Sequence, residues 1–501
     1  MATMTIEEHE LEPPTRLSRS LLWQLQRASY RVQGLQAWRP GGVPYQITSN
    51  PFIARAYADV IAGLLLDLQA SATPPRRPVQ IVELGAGSGR FGFYLLRALT
   101  ARLAREPAPA RPWFRLVMTD LALANLDGWL AHPRLRPFID QGLLDVAVFD
   151  AERPAPLRLR VAGDVLAPDD DGEPVVAIAN YVFDSIPYDA YQVEGGELRE
   201  CRVALIGAGD REAALRDPAA ALEAASWRVE LAPAELDHAD PLVNELCAEY
   251  ARGPDGSIVL VPVAGLATVD YLARLGGGRL LTLTSDKGYR DPAQRAAHAD
   301  FTIATHGGCV SLSVNFHAFA RYVERRGGFA LPADQRHDGF YSGVLGLGLD
   351  AETLPRCLAA VDELARFGPG DYQRLIDHTA AETRQPSVEH VLGLLRLASW
   401  DPRLLTRFAA ALIDGMADRA PSGLDADLAE ALTRVRDLLY PLPGVRDPAL
   451  VVIGTLWLAL RQPTEAIAAL EAALDGTDDD APTHALLARA RLALAPPRAS
   501  Y

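Results

Sequence analysis

The sequence predicts an α/β protein with a Rossmann-like, mainly parallel sheet that has helices on both faces, followed by an all-α domain of helical repeats. Three observations support this prediction. A strand, a glycine turn and a helix succeed one another between Val79 and Leu99. Further apolar runs downstream each end in a polar residue, and from Ala351 short amphipathic helices replace the strands. Strands that alternate with helices indicate parallel pairing, because parallel neighbours need a crossover connection.

Composition limits the class of protein and its ligands. A chain of 501 residues is long enough for several domains, at ~100–200 residues each. The net charge of −15 repels phosphate backbones, so we predict that nucleic acid is not a substrate. The cysteines are widely separated and form no C-x-x-C, which predicts reduced core thiols rather than disulfides or zinc ligands. We find no targeting signal and no apolar run that approaches the ~20 residues of a membrane span, and therefore predict a cytoplasmic protein with no membrane partner.

Three domains are predicted. Residues 1–72 form an N-terminal helical segment, with one helix from Leu17 to Leu35 and a second that Pro51 begins at its first turn. Residues 73–350 form the α/β domain, with a polar helical insertion at about 205–255. Residues 351–501 form the helical domain.

The glycine turn permits two cofactors. Gly87, Gly89 and Gly92 fit the dinucleotide pattern G-x-G-x-x-G, but its first glycine should follow the strand directly. Gly85 does follow the strand, and in that register the third glycine position is Arg90. A dinucleotide such as NAD therefore fits poorly. A turn that binds no ligand is the other alternative.

The pattern that fits in register is E-x-G-x-G-x-G, formed by Glu83, Gly85, Gly87 and Gly89. A carboxylate at the strand end disfavours an adjacent pyrophosphate and suits a cofactor with a cationic amino-acid end. S-adenosylmethionine (SAM) has such an end, and the backbone N–H groups of a glycine turn can meet its carboxylate. The pattern is similar to the signature of class I SAM-dependent methyltransferases.

Polar residues end the next three predicted strands. Asp120 follows Trp113–Thr119, Asp150 follows Leu144–Phe149, and Asn180 follows Val175–Ala179. Because parallel strands end at one edge of the sheet, these side chains should lie beside the glycine turn, where open α/β sheets bind ligands. Each could alternatively be a helix cap or a turn former.

These residues receive predicted roles. Asp120 accepts hydrogen bonds from ribose hydroxyls, and Asp150 contributes to the same cofactor site. The loop that Asn180 begins should form the floor of the acceptor pocket. Asn180 would hold a nitrogen near the methyl donor, and Asp184 would steer a cationic acceptor unless it only caps a helical turn.

The region after Tyr188 is predicted to contain a hairpin around Gly195-Gly196, a helix at Thr268–Leu275 and a buried strand at Gly278–Thr284. His306 and His317 are interpreted as loop or cap residues because they have no metal-ligand partners at close spacing. No metal site is predicted.

Ordered motifs along residues 20–350 resemble the MidA family of SAM-dependent methyltransferases. They are Thr48-Ser49, Glu83–Gly89, Asn180–Pro187, Asp286–Tyr289 and Val314–Phe316. The resemblance implies a class I methyltransferase fold and bound SAM. The family's mitochondrial member is a protein arginine methyltransferase that acts in complex I assembly. This chain differs at Tyr181, where the family has Glu, and at Ala86 and Ser88, where it has Pro and Arg. The missing carboxylate removes one partner for a guanidinium.

The last part of the chain, from Ala449 to Leu494, resembles a tetratricopeptide repeat, with Ala/Leu-rich helices around a turn at Gln462-Pro463. Such helices stack into a solenoid that can hold a peptide. A plain helical bundle remains an alternative. The predicted function is SAM-dependent methylation of a protein or peptide side chain, with arginine possible. The alternatives are a small-molecule or natural-product methyltransferase, and a weakly catalytic SAM-binding assembly factor that holds its partner on the repeats.

Overall fold

A computed structural model describes residues 8–34, 47–107, 113–292, 301–306, 308–332, 339–382, 385–417, 422–442, 445, 447–474 and 480–494. The described residues divide into two compact units. The first contains the residues up to Ser49 and those from Ala56 to Gly370, and the second contains Asn50–Arg55 and the residues from Asp371 onward. The predicted boundary after residue 350 therefore differs from the observed division.

The strands are, in chain order, β1 Glu8–Arg16, β2 Val79–Glu83, β3 Phe114–Asp120, β4 Leu144–Val148, β5 Leu157–Arg158, β6 Val165–Leu166, β7 Val175–Asn180, β8 Asp189–Glu194, β9 Glu197–Ala208, β10 Ser226–Pro233, β11 Ile258–Val261, β12 Leu280–Tyr289, β13 Ala304–His306, β14 Cys309–Ser311, β15 Val314–Asn315, β16 Phe329–Pro332 and β17 Phe340–Leu347.

The helices of the first unit are α1 Leu21–Gln33, α2 Pro51–Ala70 (whose first turn belongs to the second unit), α3 Arg90–Leu103, α4 Leu123–Ala131, α5 Arg136–Asp140, α6 Arg211–Arg216, α7 Pro218–Ala224, α8 Pro241–Tyr250, α9 Val263–Leu275, α10 Phe316–Arg325 and α11 Pro355–Arg366. Those that follow are α12 Pro369–Glu382, α13 Val388–Leu397, α14 Pro402–Arg407, α15 Ala409–Met416, α16 Gly423–Asp437, α17 Pro448–Ala459, α18 Pro463–Leu474 and α19 Ala481–Leu494.

The main sheet has the order β16-β17-β12-β7-β2-β3-β4, with β15 paired to β12. The five strands from β12 to β4 are parallel to their neighbours, and β17 is antiparallel to β12 and to β16. These parallel strands are almost wholly buried apolar runs, as expected for strands covered on both faces. The sheet is therefore mixed and accompanied by many helices, as the predicted α/β class requires, while the Rossmann-like arrangement stays a prediction.

The order of the strands reverses at β2. The next strands in the chain, β3 and β4, lie on one side of β2, whereas β7 and β12 lie on its other side. In open α/β sheets a ligand binds in the crevice that such a reversal leaves at the carboxyl ends of the strands. The glycine turn follows β2 directly, so the fold places it at this crevice.

A second sheet has the order β1-β9-β8-β11, with β10 also paired to β9. The predicted hairpin is confirmed: β8 and β9 pair antiparallel around Gly195 and Gly196, whose φ angles are 60° and 82°. Positive φ at both central residues matches the twist of a two-residue hairpin.

Two strands of this sheet lie in segments for which the sequence analysis does not predict a strand. Strand β1 lies in the predicted N-terminal helical segment, and β10 lies in the insertion predicted to be helical. Both pair with β9 across a long sequence separation, so tertiary pairing rather than a local signal determines that they are strands. The alternation of Trp227, Val229 and Leu231 is a strand signal that was available in the sequence.

Strand β12 extends beyond the predicted end at Thr284, because Ser285, Asp286 and Lys287 also pair with β17. From Pro355 to Leu494 the described elements are all helices, which confirms the helical character of this region. Whether the helices stack as a tetratricopeptide repeat stays a prediction.

The cysteines are all free and buried, as predicted. Across the described ranges, we find no helix long and apolar enough to cross a membrane. The same ranges contain no group of three His, Cys, Asp or Glu side chains arranged to hold a metal ion.

Candidate functional site

The glycine turn between β2 and α3 depends on backbone conformations that favour glycine. Gly85, Gly87 and Gly89 have φ angles of 58°, 54° and 77°. The turn is held to both neighbouring strands, since Leu84 N–H donates to the Ile178 carbonyl at 2.9 Å and Ala86 N–H donates to the Thr119 carbonyl at 2.8 Å. The backbone here is therefore a fixed, side-chain-free surface at the start of a helix, as anion and cofactor binding require.

Asp120 ends β3 beside this turn. One of its carboxylate oxygens accepts from the Gly87 N–H at 3.1 Å, and the other accepts from the Ala122 N–H at 2.9 Å. Burial raises the pKa of Asp120, while these donated hydrogen bonds oppose that rise. Each carboxylate oxygen has a second lone pair, so Asp120 can order the turn and still accept from a ligand hydroxyl.

Glu83 ends β2 and is 4% exposed. Its Oε2 atom is buried and has no hydrogen-bond partner among the described residues. Burial, together with the nearby Asp120, raises the pKa of Glu83 to about 8. A Cβ at Gly92 would lie 2.7 Å from this oxygen, so α3 leaves room for the carboxyl group only because residue 92 is glycine. A buried acceptor without a donor is costly unless a ligand supplies one.

The chain that leaves β4 carries a tightly paired charge cluster. The Arg27 guanidinium of α1 donates to both carboxylate oxygens of Asp150, at 2.9 and 2.6 Å. It also pairs with Glu152 at 2.8 Å, and its own side chain is 12% exposed. Bidentate pairs of this kind are the strong ones. Asp150 therefore anchors α1 in this structure, in addition to any role toward a cofactor.

The chain that leaves β7 begins with Asn180. The Tyr57 hydroxyl of α2 donates to Asn180 Oδ1 at 3.0 Å and contacts the Ser285 hydroxyl at 2.8 Å. The Nδ2 atom of Asn180 is buried and has no partner among the residues described. The next residue, Tyr181, has a φ of 51°, a conformation that a bulky side chain adopts only when its surroundings impose it.

Asp184 lies in a single 3-10 turn at Phe183–Ser185 and is 5% exposed. Its Oδ1 atom accepts from the Ser185 hydroxyl at 2.6 Å, and its N–H donates to Asp286 Oδ2 at 3.1 Å. Asp286 Oδ1 accepts in turn from the Lys287 N–H at 2.8 Å. Burial raises the pKa of both, and the Asp184 charge raises that of Asp286 further.

A cleft at this edge of the sheet contains about 740 Å³ of space, part of it open to solvent. Its lining comes from α1, the glycine turn and the chain after β3, β4 and β7: Gln26, Arg27, Tyr30, Leu84, Gly85, Asp120, Leu121, Phe149, Asp150, Ala151, Glu152, Tyr181, Val182, Ser185 and Ile186. Of the predicted site residues, Gly85, Asp120 and Asp150 line the cleft. Glu83, Asn180 and Asp184 are each next to a lining residue in the chain but are not part of the lining, and Gly87 and Gly89 lie further along the glycine turn, outside the lining. The roles assigned to all eight stay predictions.

Sequence reasoning missed the contribution of α1. Gln26 donates to the Ser185 carbonyl at 2.8 Å and accepts from the Val310 N–H at 2.6 Å, while Arg27 holds Asp150. Helix α1 therefore joins the chain after β4 to the chain after β7. The sequence contains no local signal for this, because Gln26 and Arg27 are only two of several polar residues in an amphipathic helix.

We predict that Arg27→Ala lowers both the stability of the protein and its affinity for the cleft ligand. The substitution leaves Asp150 and Glu152, which are 20% and 19% exposed, without their cation. Breaking a buried pair in this way costs of the order of 3 kcal/mol. Urea unfolding measures the loss. Arg31→Ala, an exposed position on the same helix, is the control. Equal unfolding free energies for the two variants would contradict the prediction.

No protein-family model and no curated protein matches the chain. Among solved structures, it is similar to a candidate methyl transferase from Burkholderia thailandensis bound to S-adenosyl-homocysteine, at 16% identity and a TM-score of 0.38, over 70% of this chain and 85% of the other. A native structure of a COG1565 superfamily protein from the same organism matches at 15% identity and a TM-score of 0.39, over 66% of this chain and 93% of the other. The CMeT domain of the citrinin polyketide synthase matches at 11% identity and a TM-score of 0.27, over 58% of this chain and 52% of the other. The scores are low, so function is argued from the residues of this chain.

Proposed function

We propose that the chain is a SAM-dependent methyltransferase whose acceptor is a protein or peptide side chain. One observation carries the proposal: a turn of positive-φ glycines at the strand-order reversal, with the unpartnered Glu83 carboxyl on one side and Asp120 on the other. These are the groups that a ligand with an ammonium, a carboxylate and ribose hydroxyls requires.

The residues fit SAM better than a dinucleotide. A pyrophosphate at the turn would face the carboxyl groups of Glu83 and Asp120, whereas an ammonium would supply the donor that Glu83 Oε2 lacks. The φ of 58° at Gly85 keeps the first turn position free of a side chain, as close approach of a ligand to the backbone requires. A turn that binds no ligand would leave Glu83 Oε2 buried without a hydrogen-bond partner among the described residues.

Each residue then has a defined task. Glu83 binds the ammonium, the N–H groups of the glycine turn bind the carboxylate, and Asp120 accepts from the ribose hydroxyls. Residues of helix α1 and the apolar residues Leu121 and Phe149 line the cleft in which the methyl group would be transferred. Bound SAM supplies an activated methyl group. The protein therefore has mainly to align the acceptor with it, and Asn180 is the residue proposed for that alignment.

Two features support a protein or peptide acceptor. The net charge of −15 attracts basic peptides and disfavours nucleic acid. The sequence from Ala449 to Leu494 resembles tetratricopeptide repeats, which bind peptides in other proteins. The resemblance to the MidA family implies arginine as one possible acceptor.

Calorimetry with SAM tests the site. We expect Asp120→Ala to weaken SAM binding by about ten- to a hundredfold, because ribose hydroxyls would lose a charged acceptor. Asp127→Ala removes an exposed carboxylate from the neighbouring helix α4 and should leave the affinity unchanged. Equal SAM affinity in both variants would refute the assignment of Asp120.

Mass spectrometry identifies the acceptor. The purified protein is incubated with SAM and with peptides from proteins that co-purify with it, and mass gains of one methyl group are sought. Gains on a peptide support the proposal, whereas gains confined to small molecules support a natural-product methyltransferase. SAM binding without any transfer would instead favour an assembly factor.

A further inference from the structure

The two sides of the cleft differ in charge. On the side formed by the chain after β3 and β4, it is lined by Asp120, Asp150 and Glu152, with Arg27 among them. On the side formed by the chain after β7, its lining is Tyr181, Val182, Ser185 and Ile186. Tyr30 of α1 adds a phenol. No residue on the β7 side of this lining carries a formal charge. Tyr181 is the titratable one among them, and burial raises its pKa above the ordinary value, so its phenol stays neutral.

The proposed function fixes which side is left for the acceptor. SAM would occupy the exits of β2, β3 and β4, where the glycine turn, Asp120 and the β4 chain lie. The exit of β7 is then the remaining wall of the crevice. The present inference rests on that assignment.

The carboxyl groups of Asp184 and Asp286, next to the β7 side, already accept hydrogen bonds from within the protein. Asp286 is fully buried and Asp184 is 5% exposed. Asp286 accepts from the backbone N–H groups of Asp184 and Lys287, and Asp184 accepts from Ser185. These bonds hold the 3-10 turn beside the cleft and engage the oxygens of both carboxyl groups, whereas Asp184, like Asn180, adjoins the lining without belonging to it. Asp184 is therefore a poor partner for a cation in the cleft.

Asn180 offers the opposite kind of group. Tyr57 donates to its Oδ1 atom, and the Ser285 hydroxyl, itself 2.7 Å from that of Ser342, can donate in turn to Tyr57. This chain of hydroxyls orients the amide so that Nδ2 is the atom left without a partner among the described residues. An N–H donor binds an oxygen and disfavours a cation.

We infer that the β7 side of the cleft is a subsite for an uncharged, carbonyl-bearing side chain, a carboxamide, rather than for a guanidinium or an ammonium. A guanidinium has five donors to satisfy and would meet hydroxyls, apolar groups and another donor. A carboxamide places its carbonyl against Asn180 and its N–H groups against the hydroxyl oxygens of this wall. Tyr181, which stands where the MidA pattern has Glu, is the residue that sets the selectivity.

Ligand-observed NMR tests the subsite. The full-length protein is saturated with S-adenosyl-homocysteine, and two probes are titrated: N-acetyl-glutamine amide and N-acetyl-arginine amide. We expect the glutamine probe to bind at least about tenfold more tightly than the arginine probe. The glutamine probe would gain a hydrogen bond at the subsite, whereas the charge of the arginine probe would stay unpaired. Equal or tighter binding of the arginine probe would overturn the inference, as would the absence of binding by either probe at millimolar concentration.

A matched pair of variants isolates the charge at residue 181. Tyr181→Glu should bring the arginine probe to about tenfold tighter binding than in the wild type, because a carboxylate pairs with a guanidinium. Tyr181→Gln introduces a side chain of the same shape as glutamate but without its charge, and it should not strengthen binding of the arginine probe. Arginine binding that rises equally in both would refute the role of Tyr181 in selectivity. If the Glu variant does not fold, the wild-type ratio of the two probes still decides.

The affinity for S-adenosyl-homocysteine separates this inference from the proposed function. If the wild-type protein does not bind S-adenosyl-homocysteine, the proposed function fails, whatever the probes do. If it binds S-adenosyl-homocysteine and prefers arginine, the proposed function stands and only the carboxamide subsite fails.

Discussion

Gly85→Leu should reduce SAM binding at least ~100-fold, a loss of about 2.7 kcal/mol or more. Gly85 lines the cleft with a φ of 58°, and a Cβ there would already lie 3.4 Å from Val182 Cγ2. A leucine side chain must therefore extend into the space that the ligand needs or change the course of the turn. Isothermal titration calorimetry with SAM measures the loss.

A glycine elsewhere separates this effect from backbone strain. Gly163 has a φ of 80°, and a Cβ added there meets nothing within 4 Å. Gly163→Leu should therefore lose a similar ~1–2 kcal/mol of stability, because leucine must adopt a left-handed backbone conformation there, while the cleft stays unaltered. It should be destabilised and still bind SAM with wild-type affinity. If Gly85→Leu binds SAM as tightly as Gly163→Leu, the glycine turn is not the cofactor site.

The site could be predicted from the sequence where short-range patterns determine it. The run from Val79 to Glu83 is apolar and bounded by proline and glycine, and the following glycines adopt the positive φ angles that the turn requires. The polar residues Asp120 and Asn180 end their strands as predicted, because the carboxyl ends of parallel strands meet at one edge.

The partners of these residues could not be predicted, because they are distant in the chain. Arg27 and Asp150 are 123 positions apart, and Asp184 and Asp286 are 102 apart. Nothing in a local window distinguishes an aspartate that faces a ligand from one that faces a buried arginine or a second carboxyl group. The sequence thus located the candidate residues, while tertiary packing decided which groups each of them meets.

The distance between partners in the chain also explains which strands of the second sheet could be predicted. The hairpin of β8 and β9 has a local turn signal at Gly195-Gly196 and was predicted. Strands β1 and β10 pair with the edges of β9, and β10 is exposed or half-buried along its whole length, so its pairing with β9 rather than the burial of its side chains determines that it is a strand. Strand propensity depends on such neighbours more than helix propensity does.

Glu83→Gln should make the free protein more stable at pH 8 while weakening its binding of SAM. In the folded protein burial and Asp120 raise the pKa of Glu83 to about 8, against an ordinary value of 4.5. Between these values the native state keeps a proton that the unfolded state has released, so stability falls as the pH rises, by roughly 1.4 kcal/mol per pH unit. Glutamine carries no such proton. Urea unfolding at pH 5 and pH 8 should therefore show the variant gaining on the wild type as the pH rises.

The pH dependence of SAM binding tests the same carboxyl group. An ammonium beside Glu83 favours its ionised form, so at pH 7 the wild type should release a proton when SAM binds, and its affinity should rise towards pH 8. Titration calorimetry in two buffers of different ionisation enthalpy measures that proton. In Glu83→Gln we expect no release and an affinity lower by about ten- to a hundredfold, while Glu197→Gln, at an exposed position, should match the wild type. A wild type that binds SAM without releasing a proton, with the same affinity as Glu83→Gln, would show that the buried carboxyl group does not meet the ammonium.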